Sequence, residues 1–200
     1  MHISDGILSP EVATTLAVVG GAMCLYSLKE IKNENIALSA AMSALFFVAS
    51  FIHIPLGPTQ IHLILVGVIG LFLGRLSFLP ISIALILQAT MLGYGGVTSL
   101  GANIVIMALP AYLVHLIFKA NFVQKINEKV KFFFVGFLGV FFATVILALV
   151  LLFAKDEYLI ASYTVVAANV PAMVLEGIIT LFLLMYIKKA MPSLLKEYKI

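Results

Sequence analysis

Residues Phe132–Ala154 read FFFVGFLGVFFATVILALVLLFA, twenty-three positions without a charge. As a helix this stretch is about 34 Å long at 1.5 Å per residue, enough to cross the roughly 30 Å hydrocarbon core of a bilayer. Outward from it the chain keeps the same character. Of its 200 residues 63% are apolar and 10% charged, against roughly 45–50% and about 25% in soluble domains. That much apolar surface aggregates in water, so lipid is the solvent for most of the chain. The expected class is an all-α, polytopic membrane protein. A transmembrane β-barrel needs many segments of about ten alternating residues, which the sequence lacks. The net charge of +3 comes from twelve basic residues without a dense cluster. That excludes nucleic acid as a partner and leaves the basic residues to set topology.

About seven spanning helices are expected. Ser9-Pro10-Glu11 starts the first, with serine as N-cap, proline in the first turn and a carboxylate facing the helix dipole. It runs to about Leu28. The second runs from about Asn35 to Ile54 and stops at Pro55-Leu56-Gly57-Pro58, which cannot continue it. The third covers roughly Ile61 to Leu76. Pro80 opens the fourth, which ends near Gly93-Tyr94-Gly95-Gly96. Thr98 or Ser99 caps the fifth, which reaches about Phe118 with Pro110 inside it. The sixth is Phe132–Ala154. The last apolar stretch, Tyr158 to Ile187, is too long for one helix, and Asn169-Val170-Pro171 is expected to divide it into a short segment and a seventh helix.

Alternating these helices from an outward N-terminus places Lys29, Lys32, Arg75, Lys119, Lys125, Lys129, Lys131, Lys188, Lys189, Lys196 and Lys199 on the inner side. Only Lys155 falls outside. Eleven of twelve on one side is what the positive-inside rule demands, so the N-terminus is expected outside and the C-terminus in the cytoplasm of a prokaryotic cell. The opening MHISDGILSP has no basic n-region and precedes the first apolar stretch, unlike a secretory signal. Residue 1 is therefore expected to be kept. Cys24 stands alone, which excludes an intrachain disulfide, and is expected to pack as a small hydrophobe. No phosphate-binding G-x-x-x-x-G-K-[ST] loop is present, so ATP hydrolysis by that route falls to other chains.

The outer face gathers the N-terminal segment, the loop His53–His62, the turn Gly93–Ser99 and Lys155–Tyr158. His2 is the most informative residue. A free terminus followed by histidine offers an amine, the His2 backbone nitrogen and the imidazole Nδ1, which close two chelate rings on one ion in one plane. Such a set suits Ni(II) or Cu(II) and leaves a fourth position for another imidazole. His62, placed at the opening of the third helix, is the first candidate and His53 the second. The alternative for His2 is a solvated side chain without a role.

Several stretches resemble the CbiM/NikM family, the substrate-binding membrane components of energy-coupling-factor cobalt and nickel importers. Met1-His2-Ile3-Ser4-Asp5-Gly6-Ile7-Leu8-Ser9-Pro10 is similar to its opening M-H-I-x-[DE]-G-[FI]-L-x-P. Gly57-Pro58-Thr59-Gln60-Ile61-His62-Leu63 resembles its G-P-T-x-x-H-L, and Gln88 through Asn103 its Q-A-x-x-x-G-x-G-G-[LV]-T-[ST]-L-G-x-N. Pro171–Gly177 resembles its P-V-M-x-x-E-G. The matches run in order along nearly the whole chain; Ser4 and Ile7 depart from the commonest opening and supply no ligand. The resemblance implies that Met1, through its amine, His2 and His62 hold the metal. It implies a single domain over 1–200, with a metal-binding extracytoplasmic segment at 1–9, a helix bundle at 10–188 and a cytoplasmic tail at 189–200. It further implies that Ile3, Ile7 and Leu8 form a buried plug, with interfacial anchoring as the alternative. The expected function is uptake of Ni(II) first and Co(II) second, or Co(II) for cobalamin biosynthesis by the same architecture. The ion is cargo, and no prosthetic group is implied. The partners implied are a transmembrane coupling subunit, cytoplasmic ATPase subunits and a small accessory membrane protein.

Other polar residues have structural alternatives. Asn103, Thr98 and Gln88 can donate hydrogen bonds that orient His62 or the N-terminal loop, or can join helices. Glu176 lies in a spanning helix and is expected to face the bundle interior, as a partner for buried hydroxyls or as a coupling element. His115 is expected to be a satisfied histidine near the inner leaflet. The pairs Ala37/Ala41 and Ala40/Ala44 let another helix approach closely, within this chain or from the coupling subunit. Two rival functions remain: an intramembrane hydrolase using Ser99 with His62 or His53, and a proton-coupled carrier using Glu176 with His115.

Overall fold

The computed structural model describes residues 2–56, 59–121 and 123–197. Met1, Gly57, Pro58 and the last three residues lie outside the described residues, so the readings placed on them rest on sequence. Helix α1 (Pro10–Glu30) starts where its signals put it, with the Ser9 hydroxyl accepting the Val12 N–H. Helix α2 (Asn33–Ala49) is followed by a short hairpin of β1 (His53–Leu56) and β2 (Thr59–His62). Then come α3 (Val66–Leu73), a 3-10 turn at Gly74–Ser77, and α4 (Phe78–Leu87), which ends in a π turn at Gln88–Leu92. Helix α5 (Leu100–Lys119), α6 (Glu128–Ala154), α7 (Leu159–Ala190) and the short α8 (Pro192–Glu197) complete the chain.

Close contacts fix the relative direction of three helix pairs. Gly70 meets Ala111 and Gly74 meets His115, so α3 runs parallel to α5. The Ser27 hydroxyl donates to the Leu76 carbonyl and accepts the Leu79 N–H, while Cys24 touches Ser82, so α4 runs antiparallel to α1. Gly136 lies on Glu176, Gly177 on Phe133, and Lys188 pairs with Glu128, which sets α6 against α7 head to tail. The chain therefore reverses at Gly74–Ser77. Five apolar helical stretches are long enough to cross a bilayer, with Val66–Leu92 taken as one, and Asn33–Ala49 is shorter. The reversal splits Val66–Leu92 into two half-length segments. This stretch is also the core: in its most apolar 18-residue window 72% of the residues are buried, against 11% in that of α1. Lipid is left to the outer helices, where Val18, Phe153, Ile160 and Phe182 stay exposed.

Three expectations need correction, and for the alanine pairs one of two alternatives falls away. The second helix stops at Ala49 instead of Ile54, because Ile54 precedes a proline, which disfavours helical backbone. His53–Leu56 pairs with Thr59–His62 instead. His62 consequently sits on a strand and does not open a helix. The Tyr158–Ile187 stretch is not divided, since α7 runs through Pro171 as one helix of 32 residues; the Asn169 amide takes up the Val165 carbonyl one turn before the proline. Finally, Ala37, Ala40, Ala41 and Ala44 are exposed, and α2 packs through Ser39, Met42, Ser43, Phe46 and Ala49. The Ser43 hydroxyl reaches the Pro80 carbonyl of α4, which turns the alanines outward.

Gly70 lets α3 and α5 touch backbone to backbone, and a Cβ there would overlap the Ala111 carbonyl. Gly70→Ala is expected to cost about 3 kcal/mol by overpacking, read as a lower melting temperature in detergent. Gly21→Ala, whose Cβ meets nothing, leaves that temperature unchanged or slightly raised.

Candidate metal centre

The start of α5 anchors the N-terminal segment. Ser99 is the N-cap residue and makes no side-chain cap; its hydroxyl donates to the Ile3 carbonyl at 2.7 Å. The turn that leads into α5 is held by another part of the chain. The Asp5 carboxylate accepts the N–H groups of Val97, Thr98 and Ser99 at 3.2, 2.9 and 3.1 Å, and the Thr98 hydroxyl at 2.6 Å. A carboxylate on the exposed N–H groups before a helix is favoured electrostatically as well as by hydrogen bonding. These bonds, the Thr98 hydroxyl foremost, hold Asp5 below its ordinary pKa. Gly95 has φ +78°, a left-handed backbone that brings this turn against the Asn103 amide.

One turn into α5, Asn103 grips Ile3 from both sides. Its Oδ1 accepts the Ile3 N–H at 2.8 Å and its Nδ2 donates to the Ile3 carbonyl at 3.0 Å. Ile3 itself is 2% exposed, and Ile7 and Leu8 pack partly buried against the core. With Ile3 fixed, the preceding side chain has little choice of direction. His2 lies stacked on His62, ring centres 5.1 Å apart and planes 8° from parallel.

The hairpin supplies the other imidazoles. Its register pairs His53 with His62 directly, and paired residues stand on the same face of a ladder. Their rings are 6.0 Å apart, and Tyr94 closes the group at 6.3 Å from His2 and 6.1 Å from His53. His62 Nδ1 lies 3.2 Å from the Leu63 carbonyl. A carbonyl there makes Nδ1 the protonated nitrogen and Nε2 the electron-pair donor, the arrangement of a metal-binding histidine. Both ring nitrogens of His2 are buried with no hydrogen-bond partner among the described residues.

Electrostatics favours neutral rings. Burial, with the neighbouring His62 adding to it, pushes the His2 pKa down to about 2. Burial likewise lowers His62 to about 3, against the opposing pull of the Leu63 carbonyl. Both imidazoles are thus uncharged at neutral pH and present lone pairs. Two imidazoles sharing one ion keep their centres roughly 4–6 Å apart for metal–nitrogen bonds near 2 Å, and His2 and His62 fall in that range. Among the described residues no group of three or more His, Cys, Asp or Glu side chains converges on one point.

The remaining sequence candidates are dispersed. Thr98 and Asn103 hold the N-terminal segment and make no hydrogen bond to His62. Gln88 is fully buried at the end of α4, not midway along it, and its amide has no partner among the described residues. His53 is exposed at the edge of the group, with its Nδ1 near the Phe51 carbonyl. The Ser99 hydroxyl, paired with a histidine in the hydrolase reading, donates to the Ile3 carbonyl. Glu176 meets backbone N–H groups at Ile64 and Leu65, instead of hydroxyls. His115 packs against Gly74 at the other end of the bundle, so the carrier pairing is absent. Sequence reasoning missed Asp5 and Tyr94. An Asp-Gly turn facing a Thr-Ser helix start was the available signal for Asp5; Tyr94 had none.

The fold defines a multi-pass membrane protein, and the facing imidazoles have the donor chemistry of a divalent transition metal. Comparison with known proteins names the family. The CbiM family, "Cobalt uptake substrate-specific transmembrane region", matches residues 2–194, and the chain belongs to it. It is a membrane component of cobalt/nickel transport. A protein of Haemophilus influenzae is 32% identical over 201 residues, covering 98% of both chains. The cobalt transport protein CbiM of Clostridium tetani is 28% identical, covering 94% of this chain and 85% of that one. The crystal structure of a transition metal transporter superposes with a TM-score of 0.81 over 95% of this chain and 93% of that one, at 24% identity, which establishes the shared fold.

Asp5→Ala and Asn103→Ala remove different anchors of one segment. Hydrogen exchange at the Ile3 amide is expected to accelerate at least about tenfold in Asn103→Ala, the loss of one buried bond of about 1.4 kcal/mol. Asp5→Ala is expected to speed exchange at Val97–Ser99 first and at Ile3 less.

Proposed function

We propose that the chain is the substrate-binding subunit of an energy-coupling-factor importer, with Ni(II) as its first cargo and Co(II) as its second. The observation that carries this is the parallel, desolvated pair of His2 and His62. The ion sits on the Met1 amine, the His2 backbone nitrogen, His2 Nδ1 and His62 Nε2, a planar nitrogen set that suits Ni(II). Asp5, Ser99 and Asn103 hold that chelate down, and Ile3 excludes water beneath it. The Clostridium tetani relative, a cobalt transport protein, favours Co(II) as the alternative cargo in the same site.

The N-terminal face is extracytoplasmic in this reading. Lys29, Arg75, Lys119, Lys129 and Lys188 all stand at the opposite ends of their helices, as the positive-inside rule requires of a cytoplasmic face. Cytoplasmic ATPase subunits and a transmembrane coupling subunit then supply the energy that exposes the ion inside, with an accessory membrane protein beside them. The exposed alanines of α2 give the coupling subunit a surface for close helix packing. The chain is a binding and translocation subunit and not an enzyme.

Protons follow from the ligand set. The two imidazoles are already neutral and release none. The amine, with an ordinary pKa near 7.7–8.0, and the His2 amide both lose a proton on binding, so affinity rises with pH. Calorimetry in buffers of different ionisation enthalpy is expected to show roughly two protons released per Ni(II) at pH 7. The deciding experiment titrates Ni(II) into protein tagged at the C-terminus, beside a form with two residues added before Met1. The native terminus should give a yellow square-planar species, and the extension should weaken binding roughly 100-fold or more, beyond what lost outer hydrogen bonds cost. Equal binding by both forms sinks the chelate.

A further inference from the structure

After His62 the chain turns inward. Leu63, Ile64, Leu65 and Val66 are all at most 5% exposed, yet the first three lie outside any helix or strand. Among the described residues Leu65 alone, glycines aside, has a positive φ, +50°. Backbone that leaves regular structure inside a membrane protein needs partners for its N–H groups. Leu63 finds one in the Ile52 carbonyl at 3.2 Å. Ile64 and Leu65 find theirs on a different helix. The Glu176 carboxylate of α7 accepts the Ile64 N–H at 2.5 Å through Oε1, and the Leu65 N–H at 3.2 Å through both oxygens.

Glu176 is 2% exposed, and among the described residues no ion pair involves it. A buried carboxylate is costly unless strong hydrogen bonds compensate, and these charge-assisted bonds are of the strong kind. Its own backbone packs directly on Gly136 of α6, where a Cβ would overlap the Glu176 carbonyl. We propose that Glu176 is a positioning residue for the metal site: from α7 it fixes the left-handed turn at Leu65, and through it the height of His62 beneath His2. This rests on the reading of His62 as a metal ligand. It gives α7 a connection to the site through the backbone that follows His62.

The test is a double-mutant cycle on the full chain in detergent, reading Ni(II) affinity and the visible spectrum of the bound ion. Glu176→Leu removes both acceptors and is expected to weaken Ni(II) by about 10–100-fold, with a spectrum matching that of His62→Ala. Glu176→Gln keeps an oxygen that can accept both N–H groups, and is expected to retain the wild-type spectrum. Adding Glu176→Leu to His62→Ala should change nothing further, since a residue acting through His62 has nothing left to act on. If Glu176→Leu does not fold, Glu176→Asp, which retracts the carboxylate, takes its place in the same cycle. Wild-type binding in either variant, an equal loss in the His62→Ala background, or Glu176→Gln as damaging as Glu176→Leu overturns the proposal. If His62→Ala itself binds Ni(II) with the wild-type spectrum, His62 is not a ligand, and the functional reading falls with it.

Discussion

Irregular backbone is tolerated inside a membrane protein only where something satisfies its N–H and C=O groups. Two such segments meet at the candidate site, and side chains from distant helices satisfy both. Asn103 and Ser99 of α5 take up the backbone of Ile3, while Glu176 of α7 takes up Ile64 and Leu65. Without those partners, each segment would have to return to a helix or leave the interior. His2 precedes the first anchored residue by one position, and His62 precedes the second anchored pair by two. The stacking of the two rings is therefore a consequence of where the backbone is pinned.

Desolvation then gives the rings their chemistry. An imidazole in water at neutral pH is protonated part of the time, and its proton competes with a metal. Burial removes that competition by favouring the neutral form of both His2 and His62. The cost is paid by the packing of Ile3 and of Leu63–Val66 around them. Asp5 works by a different route, since its residue is exposed and its hold comes from the three N–H groups and one hydroxyl that converge on it. A site assembled this way has its rigid part on α5 and α7 and its donors on non-helical backbone.

The fold was legible where it depended on local chemistry. Ser9-Pro10-Glu11 begins a helix wherever it occurs, and an uncharged stretch such as Phe132–Ala154 can only span. Reading failed where two segments far apart, or merely unlike a helix, offered a better partner. The apolar pattern of Phe51–Ile54 suits a helix end and a strand equally, and only the pairing of His53 with His62 decides between them. Pro171 reads as a break, but the Asn169 side chain and the long contact of α7 with α6 hold the helix together across it. Ala40 and Ala44 share a face by their spacing, and only the fold shows that this face is exposed and not packed within the chain.

The candidate site shows the same division more sharply. Histidines can be picked out because few residue types carry lone pairs of that kind, so His2, His53 and His62 stood out in a chain with four histidines. What orients them cannot be read from spacing. Ile3 and Asn103 are 100 positions apart, and Ile64 and Glu176 are 112. A carboxylate in a spanning helix announces that it has a partner, and Glu176 was recognisable to that extent. Its partners, however, are backbone N–H groups, which every residue but proline possesses. No side-chain pattern marks which of them are unsatisfied until the fold is known. Ligands are encoded by residue type and their positioning by topology, so a sequence of this class yields its donors before it yields the geometry that makes them a site.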